Sequence, residues 1–451
     1  MYQSKAVRLK KETMANQPKN VFMIGWEYPP HNSGGLGVAC EGLTTALAQE
    51  NTNIHFSLPY QMADSVDHMT VHTCVHENWE KRNCNCSQSG VQCTHFLYEP
   101  PFLAYTADFI VPQQTASQST ATNENSGYSF DLGKLRKLSS NQLEKEVTEY
   151  AEMVSAVAET KKAEFEVIHA HDWMAFPAGQ ELRKQTGKPL ITHVHSTEYD
   201  RSGLSEGNKY ITAIEHAGLS QADHVIAVSH YTKRLLEQRY GVDPNKISVV
   251  HNGISDLSQP ADPGTHHFAP ARPVVVFMGR LTIQKGTTYF LDLARAVLQK
   301  IPEALFVIAG HGDMYHELLL KTAHDGLSAS VVFSGFVRDE QRRKLLDRAD
   351  VFVMPSISEP FGLVALEAAQ RHTPVIVSKN AGVSEVLPHA IALDFWDIEK
   401  MAEAIVGLVT NTEKSQLQTK GQLSDLSKRT WISSALQVRE VYKKALLGFR
   451  K

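Results

Sequence analysis

Long hydrophobic runs are missing from this sequence. None approaches the ~20 apolar residues that cross a bilayer, so no membrane-spanning helix is expected. The basic run KAVRLKKE, residues 5–12, is not followed by an apolar segment, so it reads as a solvated tail rather than a secretory signal. Basic excess is missing too. With 45 Lys and Arg against 49 Asp and Glu the net charge is −4, which argues against nucleic acid as a main partner. Cysteine is scarce, five in all, and four of them (Cys74, Cys84, Cys86, Cys93) cluster near His72, His76 and His95. No pair has the C-x₂-C spacing of a zinc knuckle, and reduced loop thiols are expected there ahead of a metal. D-x-D, H-E-x-x-H and G-x-G-x-x-G are all absent. No metal, no cofactor and a cytoplasmic location are therefore the expectations.

What is present is an ordinary globular composition, 42% hydrophobic and 21% charged, in 451 residues. That length accommodates about two to four domains. Short apolar runs alternate with helical stretches: VFMIG, IHFSL, VIHA, LITHV, HVIAV and ISVV in the first half, then VVVFMG, LFVIAG, VVFSG, VFVMPS and PVIVS. Continuous apolar strands between helices are the pattern of parallel sheets covered on both faces. The fold class expected is α/β, with two Rossmann-like doubly wound domains. The reading places a tail at 1–20, a first domain at 21–255, a Pro- and Ser-rich linker at 256–273 and a second domain at 274–430. A final helical segment, 431–451, is expected to cross back to the first domain. An irregular insertion occupies about 75–140, and the helix after it has Asn141 as its expected cap.

Chemistry concentrates where strands end. EYPPHNSGGLG follows the first strand, and Gly34, Gly35 and Gly37 there permit close backbone approach at a helix start near Val38. Two strand ends carry histidines: VIHAHDW with His169, His171 and Asp172, and LITHVHSTEYDR with His193, His195 and Glu198. One strand histidine is usually a hydrogen-bonded core residue, but two clusters ending strands of one sheet converge on one rim. In the second half, GRLTIQKG sets Arg280 and Lys285 five apart after a strand, a guanidinium and an ammonium suited to a diphosphate. SEPFGLVALEA follows a later strand. There Pro360 suits a first helical turn, and Phe361, Gly362 and Leu363 would present amide groups to an anion. Glu359 stands just outside that helix, and Glu367 about two turns into it, ~12 Å further along by the helical rise.

GRLTIQKG, AGHGD, SGF and PSISEPFGLVALEA together resemble the C-terminal domain of retaining family 4 glycosyltransferases of the GT-B fold. Glu359 and Glu367 match their E-x₇-E motif. EYPPHNSGGLG, HAHDW and HVHSTEYDR resemble the N-terminal domain of the glycogen and starch synthase-like members. The resemblance covers residues 21 to about 410. It implies two domains facing across a cleft and a nucleotide-sugar donor such as UDP-glucose or ADP-glucose. It further implies transfer of a hexose, glucose first, to an α-glucan or other saccharide without a bound metal.

By position, the resemblance makes Arg280 and Lys285 the diphosphate clamp. Glu359 then contacts the donor hexose beside the amides of Gly362 and Leu363, and Glu367 binds the ribose. His195 becomes the active-site histidine near the donor sugar, ahead of His193. Gly35 and Gly37 lie near the donor phosphates and sugar, and Asp172 on the sugar or acceptor side. Two features depart from the pattern: Asn32 and Ser33 stand where K-x-G-G is expected, and the cysteine-bearing insertion has no counterpart. Competing readings are a membrane-surface enzyme acting on a lipid, a non-catalytic nucleotide-sugar-binding protein and a nucleotide-sugar epimerase. The complete Arg, Lys, Glu and Glu set disfavours the non-catalytic one.

Overall fold

A computed structural model describes residues 18–30, 34–60, 62, 65–73, 140–254 and 272–449. The clustered cysteines, His76, His95, Asn32 and Ser33, nearly all of the linker and most of the basic tail lie outside those residues.

The first sheet comprises β1 (Asn20–Ile24), β2 (Asn53–Leu58), β3 (Thr70–Thr73), β4 (Val167–His171), β5 (Leu190–Val194), β6 (His224–Ala227) and β7 (Ile247–Val249). Every pairing is parallel, and the order is β3-β2-β1-β4-β5-β6-β7. The second comprises β8 (Val274–Met278), β9 (Leu305–Ala309), β10 (Val331–Gly335), β11 (Val351–Met354), β12 (Val375–Ser378) and β13 (Ile391–Leu393). It too is parallel, in the order β10-β9-β8-β11-β12-β13. The strand order reverses between β1 and β4, and again between β8 and β11. Crevices for ligands open beyond the carboxyl ends of strands at such points.

Burial explains which strands the sequence announces. β4, β5 and β8 are buried along their whole length and appear as unbroken apolar or apolar-histidine runs. β3 and β13 are half-exposed edge strands with no such run, and the sequence reading passes over both. The helix after the insertion begins at Ser140, so Asn141 lies inside it rather than capping it. The buried stripe of that helix is Leu143, Val147, Tyr150 and Val154, and Tyr150 Oη donates to the Gly25 carbonyl at 2.5 Å, fixing the exit of β1.

The helix Trp431–Phe449 belongs to the core of the first domain. Trp431, Ala435, Val438, Val441 and Tyr442 pack into the cluster built on β1, β4 and β5. The approach is close: a Cβ at Gly42 would stand 2.2 Å from the Trp431 ring.

Candidate active site

Both crevices open into one cleft of about 520 Å³. From the first domain, Gly35 enters it at the start of the helix Gly35–Gln49, where a Cβ would meet nothing within 4 Å. That helix starts three residues ahead of Val38. Gly37 does not reach the cleft wall. It is buried, and its amide donates to Glu27 Oε2 at 3.3 Å.

Asp172 leads the helix Asp172–Thr186 with φ +58, and its Oδ1 accepts the amides of His195 at 2.7 Å and Ser196 at 3.3 Å. The carboxylate thus pins the end of β5 to the end of β4 and holds His195 on the wall. His195 Nε2 meets His171 Nδ1 at 3.0 Å, and behind them His169 Nε2 meets His193 Nδ1 at 3.2 Å and His169 Nδ1 meets Tyr442 Oη at 2.8 Å. Burial pushes His171 down to about 3 and holds His169, His193 and His195 well below the usual range, so the quartet is neutral. The i, i+2 spacing on both strands is what stacks the four rings on one face.

From the second domain come Arg280, Lys285, Glu359, Gly362 and Leu363. Arg280 is exposed, and its guanidinium makes no ion pair or hydrogen bond among the described residues. Lys285 ends a 3₁₀ turn, and Gly286 turns the chain onward at φ +66. A Cβ at Gly286 would lie 2.0 Å from the Pro355 carbonyl, so only glycine lets this turn press against the exit of β11. That contact brings Lys285 Nζ to Glu359 Oε2 at 2.5 Å. The sequence reading treats the two as independent contacts; in the folded chain they are an ion pair.

The helix after β11 runs from Leu363 to Gln370, capped by Gly362 at φ +109. Pro360 and Phe361 therefore precede it instead of forming its first turn, because Gly362 takes a left-handed conformation that breaks the helix there. Glu367 is its fifth residue, just over one turn in rather than two. The ~12 Å separation reckoned from helical rise does not hold either, since residues 359–362 are not helical. Glu367 is off the cleft wall as such, but Arg342, which lines the cleft, donates to its Oε1 at 3.1 Å. Its Oε2 is buried without a hydrogen-bond partner. The sequence reading missed Arg342, which sits in the unremarkable charged run RDEQRRK, and also Trp26, Glu27 and Arg201 on the opposite wall.

Residues 134–256 match the family described as Glycosyltransferase Family 4, and residues 258–421 the family described as glycosyl transferases group 1. An α-maltose-1-phosphate synthase of Mycolicibacterium smegmatis is 30% identical over 308 residues, 62% of this chain and 79% of that one. The chain belongs to the family 4 glycosyltransferases. A glycogen synthase of Mycobacterium tuberculosis is 25% identical to this glycosyltransferase over 96% of each chain. In fold, it is similar to a sucrose-phosphate synthase from Thermosynechococcus elongatus, with a TM-score of 0.69 at 19% identity over 94% of this chain and 98% of that one. The architecture is GT-B.

Two side-chain groups of the glycosyltransferase bring three potential metal donors within 4.8 Å of one another among the described residues: His169, His171 and His193, and His230, His251 and Glu385. The first is compromised as a ligand set because both ring nitrogens of His169 are engaged by Tyr442 and His193. In the second, His251 Nε2 and the amide of His230 already occupy Glu385 Oε2. No member of either group is among the residues that line the cleft with Arg280 and Lys285; His195, the neighbour of His171, is.

Asp172 gives the glycosyltransferase a measurable pH signature. Burial raises its carboxyl from 3.8 to about 8, the amide of His195 opposing. Between those values the folded state holds more protons than the unfolded one, so this group's contribution to stability falls as pH rises through that window. Asn at 172 keeps the Oδ1 acceptor and tolerates a positive φ. The melting temperature of Asp172→Asn, relative to wild type, should therefore rise between about pH 5 and about pH 8. An offset that stays constant with pH would contradict the assignment.

Proposed function

We propose that this glycosyltransferase moves a hexose, glucose first, from a nucleotide-sugar to an α-glucan or other saccharide, with retention at the anomeric carbon and no bound metal. The observation that carries this reading is the meeting, in one cleft at both strand-order reversals, of Arg280, Lys285 and Glu359 with Asp172 and His195. The likeness to a glycogen synthase supports the choice of a glucan acceptor.

In this reading Arg280 and Lys285 grip the diphosphate as the bond from the hexose anomeric carbon to phosphate oxygen breaks, meeting charge where it develops. The acceptor oxygen forms the new bond from the same face, and its proton passes to the departing phosphate. Lys285 and Glu359 pair with each other at 2.5 Å. A donor separates their duties, the ammonium turning to phosphate and the carboxylate to hexose hydroxyls. Leu363, at the helix start, offers a backbone amide to the anion, and Glu367, held by the cleft-lining Arg342, takes the ribose in this reading.

The test is incubation with labelled UDP-glucose or ADP-glucose, with and without maltooligosaccharide. Label appearing in lengthened oligosaccharide supports the reading; epimerised donor, or donor bound and unchanged, replaces it with a different activity. Transfer should persist in excess EDTA, since side chains and a helix end meet the leaving-group charge. Loss that a divalent cation restores would remove the metal-free mechanism.

A further inference from the structure

Glu359 belongs to the second domain, yet the residues on either side of it are held by the first. Ser358 Oγ donates to Asp200 Oδ1 at 2.5 Å and meets Tyr231 Oη at 2.7 Å. On the other side, the Pro360 carbonyl accepts from Ser229 Oγ at 2.6 Å. Ser358 and Ser229 are completely buried, so water does not compete for these bonds. Asp200 is itself fixed: its Oδ2 accepts from the amide and the hydroxyl of Thr197 in a capping box, leaving Oδ1 to the serine across the cleft.

The domains meet closely at this point. A Cβ on Gly382 would lie 2.2 Å from the Pro360 carbonyl and 2.6 Å from Ser229 Cβ. Val228, at the end of β6, is buried in a hydrophobic cluster of the second domain. Just beyond, the Glu385 carboxylate accepts the amides of His230 and Tyr231 at 2.8 Å each, at the start of the first-domain helix His230–Tyr240.

We propose that Ser358 and Ser229 are positioning residues through which the first domain completes the hold on Glu359, so that the donor-sugar carboxylate has its full stance only while the two domains are closed on each other. The proposal rests on the reading of Glu359 as the donor-hexose contact. Within its own domain Glu359 donates its amide to the Asn380 carbonyl and accepts the Gly382 amide, both at 2.9 Å. The bonds from the first domain add a hold on the Ser358 side chain and the Pro360 carbonyl, and Lys285 restricts the Glu359 side chain. Opening the domains to release product breaks the Ser358 and Ser229 bonds together. The carboxylate then loses that part of its hold at the moment water enters, and an open enzyme is a poor catalyst of donor hydrolysis.

Ser358→Ala and Tyr231→Phe test this, each alone and combined with Glu359→Gln. Ser358→Ala should lower kcat about tenfold, the scale set by misplacing a reacting group. Its Kd for UDP or ADP by calorimetry should stay within about twofold, since the nucleotide contacts are untouched. Because Ser358 acts through Glu359, the same change should cost nothing further once residue 359 is Gln. Amide exchange over residues 357–361 should quicken in both single variants. Full kcat in both folded single variants overturns the proposal, as does an undiminished extra loss in the Glu359→Gln background, which would mark a purely structural role. If wild type transfers no hexose, the proposed function falls, and the exchange measurement still decides the grip: unchanged exchange in both variants overturns it.

Discussion

Alanine at Arg280 is expected to lower turnover by about two orders of magnitude, the loss of roughly 3 kcal/mol of transition-state stabilisation, and to leave the melting temperature unchanged. The reason is the asymmetry between the two clamp residues. Arg280 is exposed and its guanidinium has no partner among the described residues, so truncation removes nothing from the folded state but a free charge. Lys285 is different. Its ammonium is paired with Glu359, a residue only 6% exposed, so Lys285→Ala leaves a buried carboxylate without its counter-charge. That variant should lose turnover by a similar factor and melt lower as well. Steady-state kinetics with thermal melts of both proteins checks the pair. Wild-type turnover in either well-folded variant would remove the diphosphate clamp.

The second large effect is a division between the two acids. Glu359→Gln should chiefly reduce kcat, because a hexose contact matters most as the ring flattens in the transition state. Glu367→Ala should chiefly weaken nucleotide binding, and by the same factor for nucleoside diphosphate and intact donor, because a ribose contact persists from ground to transition state. The geometry adds a control. Arg342 holds Glu367 Oε1, so Arg342→Ala should loosen nucleotide in the same sense while leaving the kcat effect of Glu359 intact. Calorimetry of nucleoside diphosphate and donor kinetics decide it. Unchanged diphosphate affinity in Glu367→Ala, or full turnover in Glu359→Gln, ends this division of labour.

Much of the fold was legible because a strand buried on both faces has to be apolar throughout. LITHV, buried along its whole length, appears in the structure with the bounds read from sequence. Edge strands obey no such demand, and so TVHT and IAL went unread. In the site, residues at strand ends were legible because a parallel sheet fixes where its strands stop. What a side chain touches across the sequence was not. Lys285 and Glu359 are 74 residues apart, and nothing local in either segment signals their pairing. The helix start at Leu363 was misjudged because Pro360 has a strong preference for a first turn, whereas the left-handed Gly362 that overrides it is visible only in three dimensions.

The helix Trp431–Phe449 has a consequence for how the protein is made. Its nineteen residues complete the hydrophobic core of the domain that the ribosome produces first. A domain usually closes as it emerges, before the next is translated. Here the first sheet must wait, with the surface destined for Trp431, Val438 and Tyr442 uncovered, until the whole second domain has been synthesised. The two domains are therefore bound to a single order of completion: the second can fold as it leaves the ribosome, and the first finishes last.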